Sequence, residues 1–128
     1  MEKKLMTLMP EFELIKNPDL RRKCLLVWEE AMRKEGWDVH DLKEMPFTLL
    51  VKNTPINIVE HTRAVTLCSI RIAGVMLEQY QERLKLDRDI LLAGALLHDV
   101  GKLFEYERGE GGFVKSEAGK LLRHPISG

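Results

Sequence analysis

The run Leu96-Leu97-His98-Asp99-Val100-Gly101-Lys102 decides how this chain is read, because it sets an imidazole, a carboxylate and an ammonium within five residues. Directly before it stands Ile90-Leu91-Leu92-Ala93-Gly94-Ala95, an apolar run whose length and composition predict a helix. Gly101, two residues past Asp99, predicts the left-handed stop that ends many helices. The three polar groups are therefore expected at a helix end. Neighbouring residues inside a helix point about 100° apart, so His98 and Asp99 converge only where the backbone turns out of it. A neutral imidazole nitrogen and a carboxylate oxygen are ligands that Zn, Mn, Fe, Ni or Mg accepts. Taken alone, the pair fits a structural reading better, with His98 a satisfied buried histidine, Asp99 a cap and Lys102 a solvated charge favoured by the helix dipole.

Working outward, Lys85-Leu86-Asp87 opens the motif helix, with Asp87 as its cap. Before that link, a longer helix is predicted from about residue 58 to about 82. Its start is signalled either by Thr54 before Pro55 or by a capping box of Asn57 and Glu60. Ile58, Val59, Val65, Ile72, Ala73, Met76 and Tyr80 give it a wide apolar face, which predicts the central core helix. His61 lies in its first turns. Two antiparallel neighbours joined by the short link near Lys85 bring the start of one beside the end of the other, so His61 is expected to meet His98 and Asp99.

Further out, Asn17-Pro18-Asp19 starts an amphipathic packing helix that Gly36 ends. A short helical turn from Val39 to Met45 and an extended piece from Pro46 to Val51 follow. Residues 1–16, interrupted by Pro10, read as a strand-like or irregular lead-in. Past the motif, residues 104–114 hold two short runs around a Gly-rich turn and predict a small β-hairpin. Ser116 then caps a last short helix that His124-Pro125 closes.

The 128 residues suit one domain, 1–128, with 1–50 as lead-in and packing helix and 55–128 as the core that bears the motifs. Hydrophobic residues at 45% and charged ones at 31% place it among soluble globular chains, and 20 basic against 20 acidic side chains advertise no nucleic-acid or membrane surface. Cys24 and Cys68, on apolar faces without metal-type spacing, read as structural thiols of a reducing compartment; the opening Met1-Glu2-Lys3-Lys4-Leu5 does not read as a signal peptide, and the expected location is the cytoplasm.

His61 in Ile58-Val59-Glu60-His61-Thr62-Arg63-Ala64-Val65, followed by His98 and Asp99 with Gly101 and Lys102 in the form HDxGK, resembles the HD superfamily of metal-dependent phosphohydrolases over about residues 55–128. That resemblance implies an all-α, HD-domain-like helical bundle carrying the hairpin near residues 104–114. It implies a divalent metal ion (Mn, Fe, Ni, Zn or Mg) held by His61, His98 and Asp99. The implied reaction is cleavage of a phosphomonoester or phosphodiester, of the nucleotide kind, by metal-activated water. In it Asp99 orients or deprotonates the nucleophile, Lys102 steadies the phosphoryl oxygens, and His124 binds a second metal or the substrate phosphate. Glu60 is a candidate partner for the other ring nitrogen of His61, and Arg63 a candidate phosphate neighbour. The family also carries a final aspartate, and no Asp follows Asp99 here. The expectation is a piece of a longer domain, since Pro125-Ile126-Ser127-Gly128 reads as a new helix beginning. The alternatives are Glu105, Glu110 or Glu117 as substitute, or a degenerate scaffold acting as a metal or ligand sensor. An apolar face left open on the core helix would be covered by a second copy in a homodimer. A single-strand nuclease is a further alternative, which the balanced charge disfavours.

Overall fold

The computed structural model describes residues 1–121. In chain order its elements are α1 (Glu2–Leu8), a 3-10 turn (Pro10–Leu14), α2 (Pro18–Glu35), α3 (Val39–Glu44), α4 (Ile58–Tyr80), a 3-10 turn (Gln81–Arg83), α5 (Arg88–Leu97), α6 (Lys102–Glu105), β1 (Tyr106–Gly109), β2 (Gly112–Lys115) and α7 (Glu117–Leu121). Helices dominate, and the two strands form one antiparallel hairpin with Tyr106 opposite Lys115. This is the all-α bundle with a small hairpin that the sequence predicts.

The helix starts fall where side-chain acceptors stand ready. Asn17 Oδ1 accepts from the N–H groups of Asp19 and Leu20 at 3.0 and 3.2 Å, with Pro18 at the first helical position. Asn57 and Glu60 form a reciprocal capping box at 2.8 and 3.0 Å, which decides between the two starts that the sequence leaves open for α4. Asp87 accepts from Ile90 N–H at 3.1 Å and opens α5. Gly36, at φ 73°, closes α2 in the left-handed region.

Several expectations are corrected. Most of residues 1–16 is helical, as α1 and the first 3-10 turn: Leu5, Met9 and Phe12 keep helical spacing across Pro10, which begins a fresh turn, and all three are fully buried with Ile15. The extended piece after α3 is confined to Pro46, which bridges Asn57; residues 47–51 run through bends. Cys68 is exposed, while Cys24 is buried. The core helix is α5, not α4: α4 buries Ile58, Val59, Thr62 and Thr66 in its first turns, but Ile72 is 60% exposed, and Met76 and Tyr80 face solvent too. Length explains this, since α4 runs about 34 Å and α5 about 15 Å, so its neighbour covers only part of it.

α5 packs against α4, α2 and the first 3-10 turn, and it buries Leu92, Ala93, Ala95 and Leu96. Full burial of Leu92 and Leu96 stabilises by roughly 1.5–3 kcal/mol each. Its end departs from the predicted stop. Gly101 is right-handed at φ −61°, because the backbone tightens to i→i−3 bonds: Val100 N–H donates to the Leu97 carbonyl at 3.2 Å, and Lys102 N–H to Asp99 at 3.0 Å. The tightening takes from the Leu96 carbonyl its usual donor four residues on. The buried Trp28 indole of α2 supplies a replacement at 2.9 Å. Trp37 likewise donates to the Leu103 carbonyl of α6 at 2.8 Å, so one indole holds the backbone before the turn and another the backbone after it.

Trp28→Phe keeps most of the buried ring and removes only the N–H, leaving the Leu96 carbonyl buried without a donor. A loss of about 2 kcal/mol in urea unfolding is expected; an unchanged midpoint would show that this bond braces nothing.

Candidate metal centre

Asp99 sits in the tightened turn after α5 and is 2% exposed. A carboxylate that deep needs cationic or hydrogen-bonded company. It finds it from two helices and from its own turn: His61 Nε2 lies 3.1 Å, His98 Nε2 3.0 Å and Lys102 Nζ 3.2 Å from the same oxygen, Oδ2. His61 comes from the first turns of α4 and His98 from the end of α5, so the antiparallel pairing expected from the sequence brings them together. The two rings lie 5.4 Å apart between centroids.

The tautomer of His98 follows from its other nitrogen. Nδ1 lies 2.7 Å from the Ala95 carbonyl, which can only accept, so Nδ1 carries the hydrogen. A neutral His98 therefore aims a lone pair from Nε2 at a carboxylate oxygen 3.0 Å away. Two acceptors at that distance require a positive centre between them, either a proton or a metal ion. Ligands at right angles around an ion with bonds of about 2.1 Å stand about 3.0 Å apart, which is the spacing found here. Among the described residues, His61, His98 and Asp99 make up a group whose donor atoms lie within 4.8 Å of one another. The donor set fits a divalent ion. Glu105, Glu110 and Glu117, the possible substitutes for a further acidic ligand, are not part of it.

The charges are mutually adjusted. Burial pushes the Asp99 carboxyl up, but the His98 hydrogen bond, the Lys102 and His98 charges and the Lys102 hydrogen bond outweigh it and hold the group at about 2. Burial holds the His61 imidazole below its ordinary value, with Lys102 and His98 acting the same way and Asp99 opposing them. The hydrogen bond to Asp99 raises His98 above its usual value against burial.

Other residues singled out by the sequence lie as follows. Lys102 is buried; its ammonium donates to the Phe47 carbonyl as well as to Asp99, so it faces the carboxylate from within the fold. Glu60 is engaged in the capping box of α4, and not on a ring nitrogen of His61. Arg63 Nε donates to both oxygens of the buried Glu11, at 3.0 and 3.1 Å, and ties α4 to the first 3-10 turn. His124 lies outside the described residues. Sequence reasoning missed Phe47, whose ring stacks on His61 with centroids 4.5 Å apart and planes 22° from parallel. It also missed the carbonyl-bracing role of Trp28 and Trp37. A buried indole N–H signals the need for an acceptor, but not which one.

Residues 58–128 match the HD domain family. A dihydroneopterin 2',3'-cyclic phosphate phosphodiesterase of Methanocaldococcus jannaschii is 42% identical over 55 residues, covering 43% of this chain and 21% of that protein. The chain thus spans about a fifth of the length of the curated relative it matches. No solved structure matches it significantly. No helix among the described residues is long and apolar enough to cross a membrane.

Because the folded Asp99 carboxyl is held below its unfolded value of about 3.9, its contribution to stability is present above that pH and is lost as pH falls from about 4 to about 2. In metal-free protein, urea unfolding across that interval is expected to show a loss of stability that Asp99→Asn flattens. An equal slope in the variant would remove Asp99 as its source.

Proposed function

This chain belongs to the HD domain family, and from that membership we propose that it is a metal-dependent phosphohydrolase acting on a small phosphorylated substrate, a nucleotide or nucleotide-like ester. One observation carries the reading: two imidazole nitrogens from separate helices meet a single buried carboxylate oxygen at 3.1 and 3.0 Å, the arrangement of a ligand set. The relative named a cyclic phosphate phosphodiesterase supports a phosphoester as the substrate class.

On this reading His61, His98 and Asp99 hold a divalent cation, which when bound polarises a phosphoryl oxygen and lowers the pKa of water. The chain's own groups prepare that chemistry. The Ala95 carbonyl fixes the His98 tautomer so that Nε2 is the ligating atom. The low pKa of Asp99 keeps it ionised, able to ligate and to orient a water proton. Lys102 balances that charge and adds a positive field toward phosphoryl oxygens near Asp99. His124 is proposed as a further phosphate or metal contact.

Protein loaded with Mn2+ is expected to hydrolyse bis(p-nitrophenyl) phosphate or a 2',3'-cyclic nucleotide, and His98→Ala to lower the rate at least about a hundredfold. Wild-type protein that binds Mn2+ but turns over no phosphoester would favour a sensor on the same scaffold.

A further inference from the structure

We propose that Phe47 is a positioning residue for this centre, its ring fixing the plane of the His61 imidazole while its carbonyl holds Lys102 beside Asp99. The inference rests on the reading of His61, His98 and Asp99 as a metal centre.

The two histidines are steadied by different means. His98 has its second ring nitrogen on the Ala95 carbonyl at 2.7 Å, the usual way a ligating imidazole is oriented. Among the described residues, His61 Nδ1 has no hydrogen-bond partner, and Glu60 beside it is committed to the capping box. Beyond the approach of Nε2 to Asp99 at 3.1 Å, which leaves rotation about that line open, the contact bearing on the His61 plane is the stacked face of Phe47, 4.5 Å away between centroids and 22° from parallel. The same residue reaches the centre a second time. Its carbonyl accepts from Lys102 Nζ, which lies 5.6 Å from the Phe47 ring centroid and 3.2 Å from Asp99 Oδ2.

Phe47 is itself placed by the start of α4. Pro46 bridges Asn57, Phe47 N–H donates to the Ile56 carbonyl at 3.2 Å, and Ile58 N–H donates to Met45 at 2.8 Å. The bonds that seat the ring thus clasp the cap of the helix bearing His61. Ring and imidazole share one mount, so their relative orientation is set locally.

The test compares wild type with Phe47→Leu, which removes the flat face, and Phe47→Tyr, which keeps it. Phe47→Met replaces the first should Phe47→Leu fail to fold. All variants retain the carbonyl, so only the ring is varied. Binding of Co2+ is followed by its visible absorption, and the ring-proton NMR lines of His61, assigned by their loss in His61→Ala, are recorded on metal-free protein. Expected are Co2+ binding weakened about tenfold with an altered spectrum in Phe47→Leu, wild-type behaviour in Phe47→Tyr, and His61 lines that broaden only in Phe47→Leu. Overturning it would be a Phe47→Leu protein with a lower melting temperature but the wild-type Co2+ affinity and spectrum. Should wild-type protein take up no Co2+, the metal-centre reading fails separately, and the metal-free lines then decide: broadened lines in Phe47→Leu support the role of Phe47, and sharp ones end it.

Discussion

One carboxylate oxygen organises this structure. Asp99 Oδ2 is almost wholly removed from water, and three nitrogen atoms from two helices and a turn stand 3.0 to 3.2 Å from it. A buried anion costs several kcal/mol unless it is compensated, so every element carrying one of those nitrogens is held to a narrow geometry. The pairing of α4 with α5 is oriented by it: sliding one helix along the other by a turn, about 5.4 Å, would withdraw His61 from its partner. Lys102 makes the arrangement tolerable without an ion, because a fixed ammonium beside the carboxylate leaves the cluster close to neutral.

The N-terminal part, which lies outside the family match at residues 58–128, does its work on the backbone of the motif. A helix that tightens at its end strands carbonyls, and α5 strands them in the place where His98 and Asp99 must be presented. Ala95 is satisfied by His98 itself and Leu96 by Trp28, while in the following α6 the Leu103 carbonyl is satisfied by Trp37. The motif therefore depends on α2 as much as on its own sequence. Glu11 and Arg63 add a tie between the first 3-10 turn and α4, two residues past His61.

How much of this was legible in the sequence depended on the range of the interaction concerned. Caps are local: Asn17, Asn57 with Glu60, and Asp87 act on N–H groups two or three residues away, and their chemistry shows in the letters. The convergence of His61 with His98 and Asp99 was legible because a short link forces antiparallel neighbours. Less local facts were hidden. Pro10 reads as a breaker until Leu5, Met9 and Phe12 are seen to share one buried face across it. The apolar residues of α4 beyond Thr66 look like core by periodicity, yet periodicity does not tell how long the neighbouring helix is. Gly101 has the composition of a left-handed stop but continues right-handed, since the turn behind it is closed by i→i−3 bonds. Trp28, Trp37 and Phe47 act across 68, 66 and 14 residues of chain, and no local pattern announces such a partner.

The charge of the cluster also decides what kind of ligand it suits. Asp99 and Lys102 cancel, while burial keeps His61 toward its neutral form. A divalent ion seated on the three ligands would therefore bring nearly its whole charge uncompensated. A charge of that sign favours an anion over a neutral ligand at open coordination positions that water would otherwise fill, and hard oxygen donors suit such ions. Had Lys102 been neutral, the carboxylate would have offset half of the ion's charge, and the demand for an anionic ligand would have been correspondingly weaker. The lysine of the motif thus raises the preference of such a site for an anionic ligand, simply by already offsetting the carboxylate's charge.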